Sequence, residues 1–541
     1  MKRIFLSMFL LLTAYCLLLT VAYAADKPTK PKIPKTPEAI EKGKLVFFKR
    51  CSFCHGLLGD GNGPAAQFLS PRPRDFTPGT FKFRTTQSGE LPIDENLFRT
   101  ISRGLKGTAM QAFDDEVIKN GLTEEERWQV IYYIQTFAQE FSDPELDPYK
   151  KIVTPSMQKL PYSEESVAKG KEIFERAKCW ECHGKGGKGD GQKTLDKKDD
   201  WGFPIRIRNV TQPWKIKAGS EPEDIFMRFS TGINGTPMPS FIDTLKEEER
   251  WHLANFIKSL QKNPREEQVL KAMTVKGDLP EDVNSPEWQK ASYIDIRLGG
   301  SVIAAPRWQN HSVDMATVRA LYNENEIAFL IEWDDSFKDV LHKKDMEMDP
   351  TPLLGTGSYN SYVDPVKMVP GKLETFRDSI ALQFPVELLE GTEKPHFFRG
   401  DSSNPVNLWI WKADLQEEGK PAVEDTNAVG HDEPLEIQAL QDVKGKGVYS
   451  GGVWKVIMKR PLLTKDEGDI QFKKGKFIPF SLNVWDGSNG EHGKLMSLSS
   501  WHYVILDVPT PMNVYIYTFL GIVGLGFGEV LLVKKIKGTK T

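Results

Sequence analysis

At 541 residues the chain is long enough for about three or four domains. Its 71 Lys and Arg against 74 Asp and Glu leave a formal charge of −3, and 11% of residues are aromatic. That balance argues against both a basic nucleic-acid-binding surface and a disordered chain.

The first 24 residues read as a signal peptide. Lys2 and Arg3 form the charged start, an apolar run follows from Ile4 to about Val21, and Ala22-Tyr23-Ala24 offers the small-x-small cleavage pattern. Cys16 lies inside this run, and Tyr15 before it is too bulky for a lipoprotein signal. Asp26 to Pro37, rich in Lys and Pro, reads as a linker.

Residues 38–140 are expected to form a small all-α domain around Cys51-Ser52-Phe53-Cys54-His55, and residues 160–262 a second around Cys179-Trp180-Glu181-Cys182-His183. C-x-x-C-H attaches a c-type haem: each thiol bonds one vinyl group, and the histidine becomes the proximal iron ligand. A haem that shuttles electrons takes a second axial ligand, commonly Met. Met110 follows the first motif in Gly107-Thr108-Ala109-Met110, and Met238 the second in Gly235-Thr236-Pro237-Met238. From Cys51 to Cys179 is 128 residues, and from Met110 to Met238 is 128 again. A repeat that keeps cysteine pair and methionine at one separation means two copies of one domain. Zinc, the common alternative at a Cys pair, needs four N/S ligands, and no further cysteine is available. The reading is two covalent haems c, with Cys51, Cys54, Cys179 and Cys182 as attachment points and His55, Met110, His183 and Met238 on iron. The loop Gly184–Gly191 has a P-loop flavour, but no strand precedes it and no Lys-Ser/Thr ends it, so it reads as a surface turn.

Residues 285–507 change character. Eight runs rich in β-branched and aromatic residues, Tyr293–Leu298, Ala316–Tyr322, Ile327–Trp333, Ser379–Phe384, Val406–Trp411, Gly452–Lys459, Phe477–Trp485 and Trp501–Val508, predict a mainly antiparallel β sandwich or barrel. The insertion between Phe337 and Phe376 shows no pattern. Asp334 and Asp335, adjacent acids after a strand, read as a turn rather than a catalytic pair. Residues 512–533 are apolar over the length of a bilayer, with Tyr515 and Tyr517 at the start. Lys534, Lys535, Lys537 and Lys540 follow in the tail, 534–541, which places that tail in the cytoplasm and the haem domains on the periplasmic side of the cytoplasmic membrane.

The third region resembles the haem-b-binding domain of gamma subunits that accompany type II molybdenum enzymes of the dimethylsulfoxide reductase family, the ethylbenzene dehydrogenase type. The resemblance is carried by Thr317–Tyr322 with Ile327–Asp335, by Arg377–Pro385, by Pro405–Ala413 and by Val484–Gly490. It implies a non-covalent haem b held by a Met and a Lys. The Met is expected just before Gly400-Asp401, where Phe398 and Arg399 stand; the Lys is expected before Ser499-Ser500-Trp501, where Lys494 and Met496 are the candidates. Either the ligand set has changed or the domain has lost its haem and serves as a docking scaffold. The whole layout resembles the membrane gamma subunit of a nitrite oxidoreductase or a related nitrate-reducing complex. That implies a molybdopterin catalytic subunit and an iron–sulfur subunit as partners, with a soluble cytochrome c or a terminal oxidase beyond. No nucleophile–base set stands out, so the chain is expected to move electrons and not to catalyse. The competing readings are a stand-alone dihaem carrier and a haem-based peroxidase or reductase with an open iron position.

Overall fold

The computed structural model describes residues 32–194, 197–203, 205–302, 308, 310–340, 376–389, 391, 393–506 and 512–538. The expected signal peptide and most of the unpatterned insertion lie outside these residues. The chain divides into two compact units, one built from residues up to 152 except 67–72 and 106–109, the other holding those two loops and everything from Val153 on.

In the first unit, Thr36 caps the helix Pro37–Arg50 by accepting from the Ala39 N–H at 3.1 Å. The chain breaks at Cys51 and makes one further turn, Ser52–His55. The helix Asp94–Arg103 starts on acids and ends on a base, as the helix dipole favours. The helix Glu124–Ile134 opens on a reciprocal capping box between Thr123 and Glu126. The stacked pair Phe98–Trp128, 4.2 Å between centroids, joins these last two helices, with Arg127 lying over Phe98.

The second unit begins with the same plan. Helices Glu164–Arg176, Trp180–His183, Pro222–Thr231 and Glu247–Ser259 follow in the same order. Phe226 stacks on Trp251 at 4.1 Å beneath Arg250. In both copies the first and last helices meet at a glycine. A Cβ on Gly43 would fall 1.9 Å from the Gln129 carbonyl oxygen, and one on Gly170 would fall 2.1 Å from that of His252. Gly170→Ala is therefore expected to force these helices apart and cost about 2–3 kcal/mol. Gly186→Ala, where the nearest atoms are Lys188 side-chain carbons at 3.8 Å, should leave the melting temperature unchanged. Thermal melts followed by haem absorbance compare the two.

The β region of this unit has fourteen strands among the described residues: β1 Val269–Thr274, β2 Tyr293–Arg297, β3 Gly299–Gly300, β4 Met315–Tyr322, β5 Glu326–Asp334, β6 Ser379–Pro385, β7 Val406–Lys412, β8 Val423–Ala428, β9 Glu436–Ile437, β10 Lys444–Tyr449, β11 Val453–Pro461, β12 Phe477–Trp485, β13 Ser497–Leu498 and β14 His502–Leu506. The main path runs β10-β11-β5-β4-β1-β14-β12-β6-β7-β8-β9. All eight expected runs meet strands, the last as far as Leu506, beyond which it leaves the described residues. β1 starts before the expected boundary at 285 and pairs in parallel with both β4 and β14, joining two otherwise antiparallel halves. The halves face each other: Phe329 of β5 lies 5.7 Å from Phe384 of β6 and 6.0 Å from Trp409 of β7. Trp333, Trp409, Trp411 and Trp454 are buried in this core.

The expected span at 512–533 falls on a 27-residue helix, Met512–Gly538. Among the described residues no helix is long and apolar enough to cross a membrane.

Candidate functional site: two haem-attachment sites and an acidic clamp

The cysteine pair of each cytochrome-like domain spans a single helical turn, and the histidine closes it. Cys51, Cys54, Cys179 and Cys182 are all free thiols. The chain then turns sharply at a glycine in the left-handed region, Gly56 at φ +77° and Gly184 at φ +72°. His55 Nδ1 lies 2.9 Å from the Arg74 carbonyl oxygen, and His183 Nδ1 lies 3.3 Å from that of Arg208. A carbonyl only accepts, so Nδ1 carries the proton and Nε2 keeps its lone pair for a metal. Desolvation lowers the pKa of both imidazoles, which favours this neutral, ligating form. The partly buried thiols are likewise held neutral, Cys51 pushed up to about 12 and Cys179 to about 11 by desolvation.

The methionine loops repeat bond for bond. Leu105 N–H donates to the Met110 carbonyl at 2.8 Å and Phe113 N–H to that of Ile101 at 3.0 Å. The counterparts are Ile233 to Met238 at 3.1 Å and Phe241 to Phe229 at 2.7 Å. Met110 packs on the same core as Cys51, and Met238 on the same core as Cys179. Reduced thiols, a histidine with a free Nε2 and a half-buried thioether beside one core are the donors a covalent haem requires. The residues fit haem c at both sites.

The second site is also tied to the β domain. Asp334, at the end of β5, receives Lys188 at 2.7 Å, Lys262 at 3.0 Å, Asn209 at 3.2 Å and Gln212 at 3.0 Å. Asp486, after β12, receives Arg206 at 3.1 Å. Arg206, Asn209 and Gln212 bracket Arg208, whose carbonyl orients His183. Two acids of the sheet thus hold the loop that holds the second proximal histidine.

Residues 40–138 and 167–261 match the cytochrome c family model, and residues 285–434 and 427–497 match the ethylbenzene dehydrogenase model. The chain is a tandem cytochrome c joined to an ethylbenzene dehydrogenase-type domain. A candidate respiratory nitrate reductase heme subunit, ORF7, of Haloferax mediterranei is 24% identical over 42% of this chain and 68% of its own length. The chlorate reductase subunit gamma of Ideonella dechloratans is 29% identical over 23% of this chain and 48% of its own length. The match thus spans about half of that second relative. In the Kuenenia stuttgartiensis reducing HAO-like protein complex, one solved chain is 41% identical over 43% of this chain and 100% of its own, with a TM-score of 0.40. The tandem cytochrome is a haem electron-transfer subunit, not a catalytic one.

The ethylbenzene dehydrogenase-type domain places the expected haem-b ligands differently. Arg399 is buried, its guanidinium donating to the Gly493 carbonyl at 3.1 Å, and guanidinium has no lone pair to offer iron. Phe398 is buried as well. The Lys494 amine pairs with Asp432 at 2.9 Å. Met496 is fully buried in an apolar cluster with Phe398, Trp485 and Trp501. Of these residues only Lys494 and Met496 carry a donor suited to iron, and Lys494 is engaged by Asp432.

The sequence names eight candidate haem-c residues and does not single out the clamp. Asp334 sits on a strand end as a four-partner acid, and the Gly184–Gly191 turn carries Lys188 to it. The signal available was Asp334-Asp335 itself, set beside the basic residues of the second cytochrome domain.

Proposed function

We propose that the chain relays electrons between a molybdenum and iron–sulfur oxidoreductase of the nitrite oxidoreductase or nitrate reductase kind and the respiratory chain, from the outer face of a membrane. The observation that carries this is the duplicated donor set, with His55 and His183 each fixed through Nδ1 to a backbone carbonyl. Haem c, when bound, supplies one-electron exchange. The chain's residues would do the rest: the cysteines would tether the haem, His55 and His183 would bind its iron, and Met110 and Met238 would be the second protein donors, leaving no place for an exogenous ligand. The thioethers favour this over a peroxidase. A nitrite-oxidising partner would send electrons outward through the chain, and a nitrate-reducing partner would draw them inward.

The membrane reading rests on the export signal in the sequence and on the terminal helix. Ile516, Tyr517, Phe519, Leu520, Ile522, Val523, Leu525 and Phe527 are all exposed on that helix, an apolar surface that water does not tolerate at this extent. Lys534, Lys535 and Lys537, in the last turns of that helix, are the kind of residue that gathers on the cytoplasmic side. Purification of the chain from membranes in mild detergent should bring down molybdopterin and iron–sulfur subunits. Recovery of the chain alone would favour a free carrier.

The ethylbenzene dehydrogenase-type domain serves this function as a docking scaffold without haem b. Arg399, the Lys494–Asp432 pair and the packed Met496 support that reading. A pyridine haemochrome assay should give two haems c per chain and nothing in the acid–acetone extract. One extractable haem per chain would restore the haem-b reading.

A further inference from the structure

Beside the clamp lies a group of carboxylates that electron transfer does not use. Asp335 follows β5, Asp378 precedes β6 and Asp486 follows β12, so three strand ends bring them together. Each contributes an oxygen within 4.8 Å of the others, and they are 4%, 0% and 2% exposed. Asp339 and Glu491 add their charge nearby, against the guanidinium of Arg206 on Asp486.

Such a group is tolerable only if protons or a cation neutralise it. The hydrogen bonds choose between these. Asp378 accepts from Gly487 N–H at 2.9 Å, Asp339 N–H at 2.8 Å and the Trp454 indole N–H at 2.9 Å. Asp486 accepts from Ser488 Oγ at 2.6 Å, Asn489 N–H at 3.1 Å and Arg206. Each of these bonds favours the ionised form of Asp378 and Asp486. Asp335 supplies an independent sign. Its Oδ1 accepts from Phe337 N–H at 3.1 Å, while its Oδ2 is buried with no hydrogen-bond partner among the described residues. A buried carboxylate oxygen without a donor, on a residue whose cluster partners lie within 4.8 Å, is open to a ligand.

We propose that Asp335, Asp378 and Asp486 bind one divalent cation of the hard, oxygen-seeking class, with calcium the best match. The ligand set is entirely oxygen, which selects against zinc and copper, and calcium accepts irregular carboxylate cages completed by carbonyls and water. The cation would also keep Asp486 ionised and so keep Arg206 on it. Burial and the neighbouring acids push the carboxyl pKa of Asp335 and Asp378 well above the usual range when no cation is there, the state that binding would replace.

The test uses the full-length haem-loaded chain in detergent, dialysed against EGTA and titrated with calcium chloride by calorimetry and by thermal melting. The wild type should bind one calcium per chain and melt several degrees higher with it. Asp335→Asn should lose at least tenfold in calcium affinity while keeping its haem c spectrum. Its calcium-free form should melt no lower than the calcium-free wild type, because an amide adds no charge to the cluster. If Asp335→Asn fails to take up haem, the wild-type titration alone still decides. Identical wild-type melting in EGTA and calcium, with no binding heat, would overturn the proposal and leave the cluster held by protons.

Discussion

A chain carrying Cys179→Ala and Cys182→Ala is expected to hold one covalent haem in place of two. Both thiols lie in the turn that starts the second donor set, and Cys179 packs on the core that also receives Trp180 and Met238. Without a tether that core of a roughly hundred-residue domain loses its largest apolar occupant, and a domain of this size has little stability in reserve. Haem staining after denaturing electrophoresis should fall by half, with the first site intact because its thiols, histidine and methionine all belong to residues 51–110. Met238→Ala is the companion variant: it keeps the full stain and loses the thioether ligand. A stain that stays at two haems in the double cysteine variant would remove the second site from this account.

Asp334→Ala should produce the next largest effect. Four partners lose their acceptor at once, and one of them is the partly buried Lys188 amine. Breaking a buried pair from one side costs about 3–5 kcal/mol. The pH dependence has a definite sign. Burial by itself raises the Asp334 carboxyl, but Lys262 and Lys188 more than reverse this and hold it at about 2, below the ordinary value of 3.8. A carboxyl whose folded pKa is depressed stabilises the fold fully above about pH 3.8 and loses that contribution as the pH falls through 2. The shift corresponds to about 2 kcal/mol. Wild-type acid unfolding should therefore contain a component that Asp334→Asn lacks. The same variant should shift the potential of the second haem and leave the first unchanged, which a redox titration resolves. Equal shifts at both haems would mean that the clamp acts on stability alone.

The haem sites were legible because their chemistry is local. Two thiols and an imidazole must fall within five residues, and the methionine follows at a spacing that the second copy repeats. The eight recognised strands announced themselves through runs such as Ile327–Trp333, in which alternate residues enter the tryptophan-rich core. β8, with its sequence Val-Glu-Asp-Thr-Asn-Ala, and β10, with two glycines, form strands through pairing with β7 and β11 and carry no such pattern. β1 was hidden for another reason: parallel pairing to β4 and β14 joins segments far apart in the chain, with no hairpin turn to mark it. The clamp and the carboxylate cluster depend on contacts such as Arg206 to Asp486, 280 positions apart, for which sequence spacing offers no rule.

The Arg208 carbonyl has one more implication. A carrier on a loose tether delivers charge by wandering until it meets an acceptor, so its turnover reflects how far and how fast it roams. The imidazole at 183 has no such liberty, since the peptide it leans on is pinned to the ends of β5 and β12. A haem held by that imidazole would keep one distance from whatever settles on that sheet. Tunnelling between them should then be insensitive to solvent viscosity.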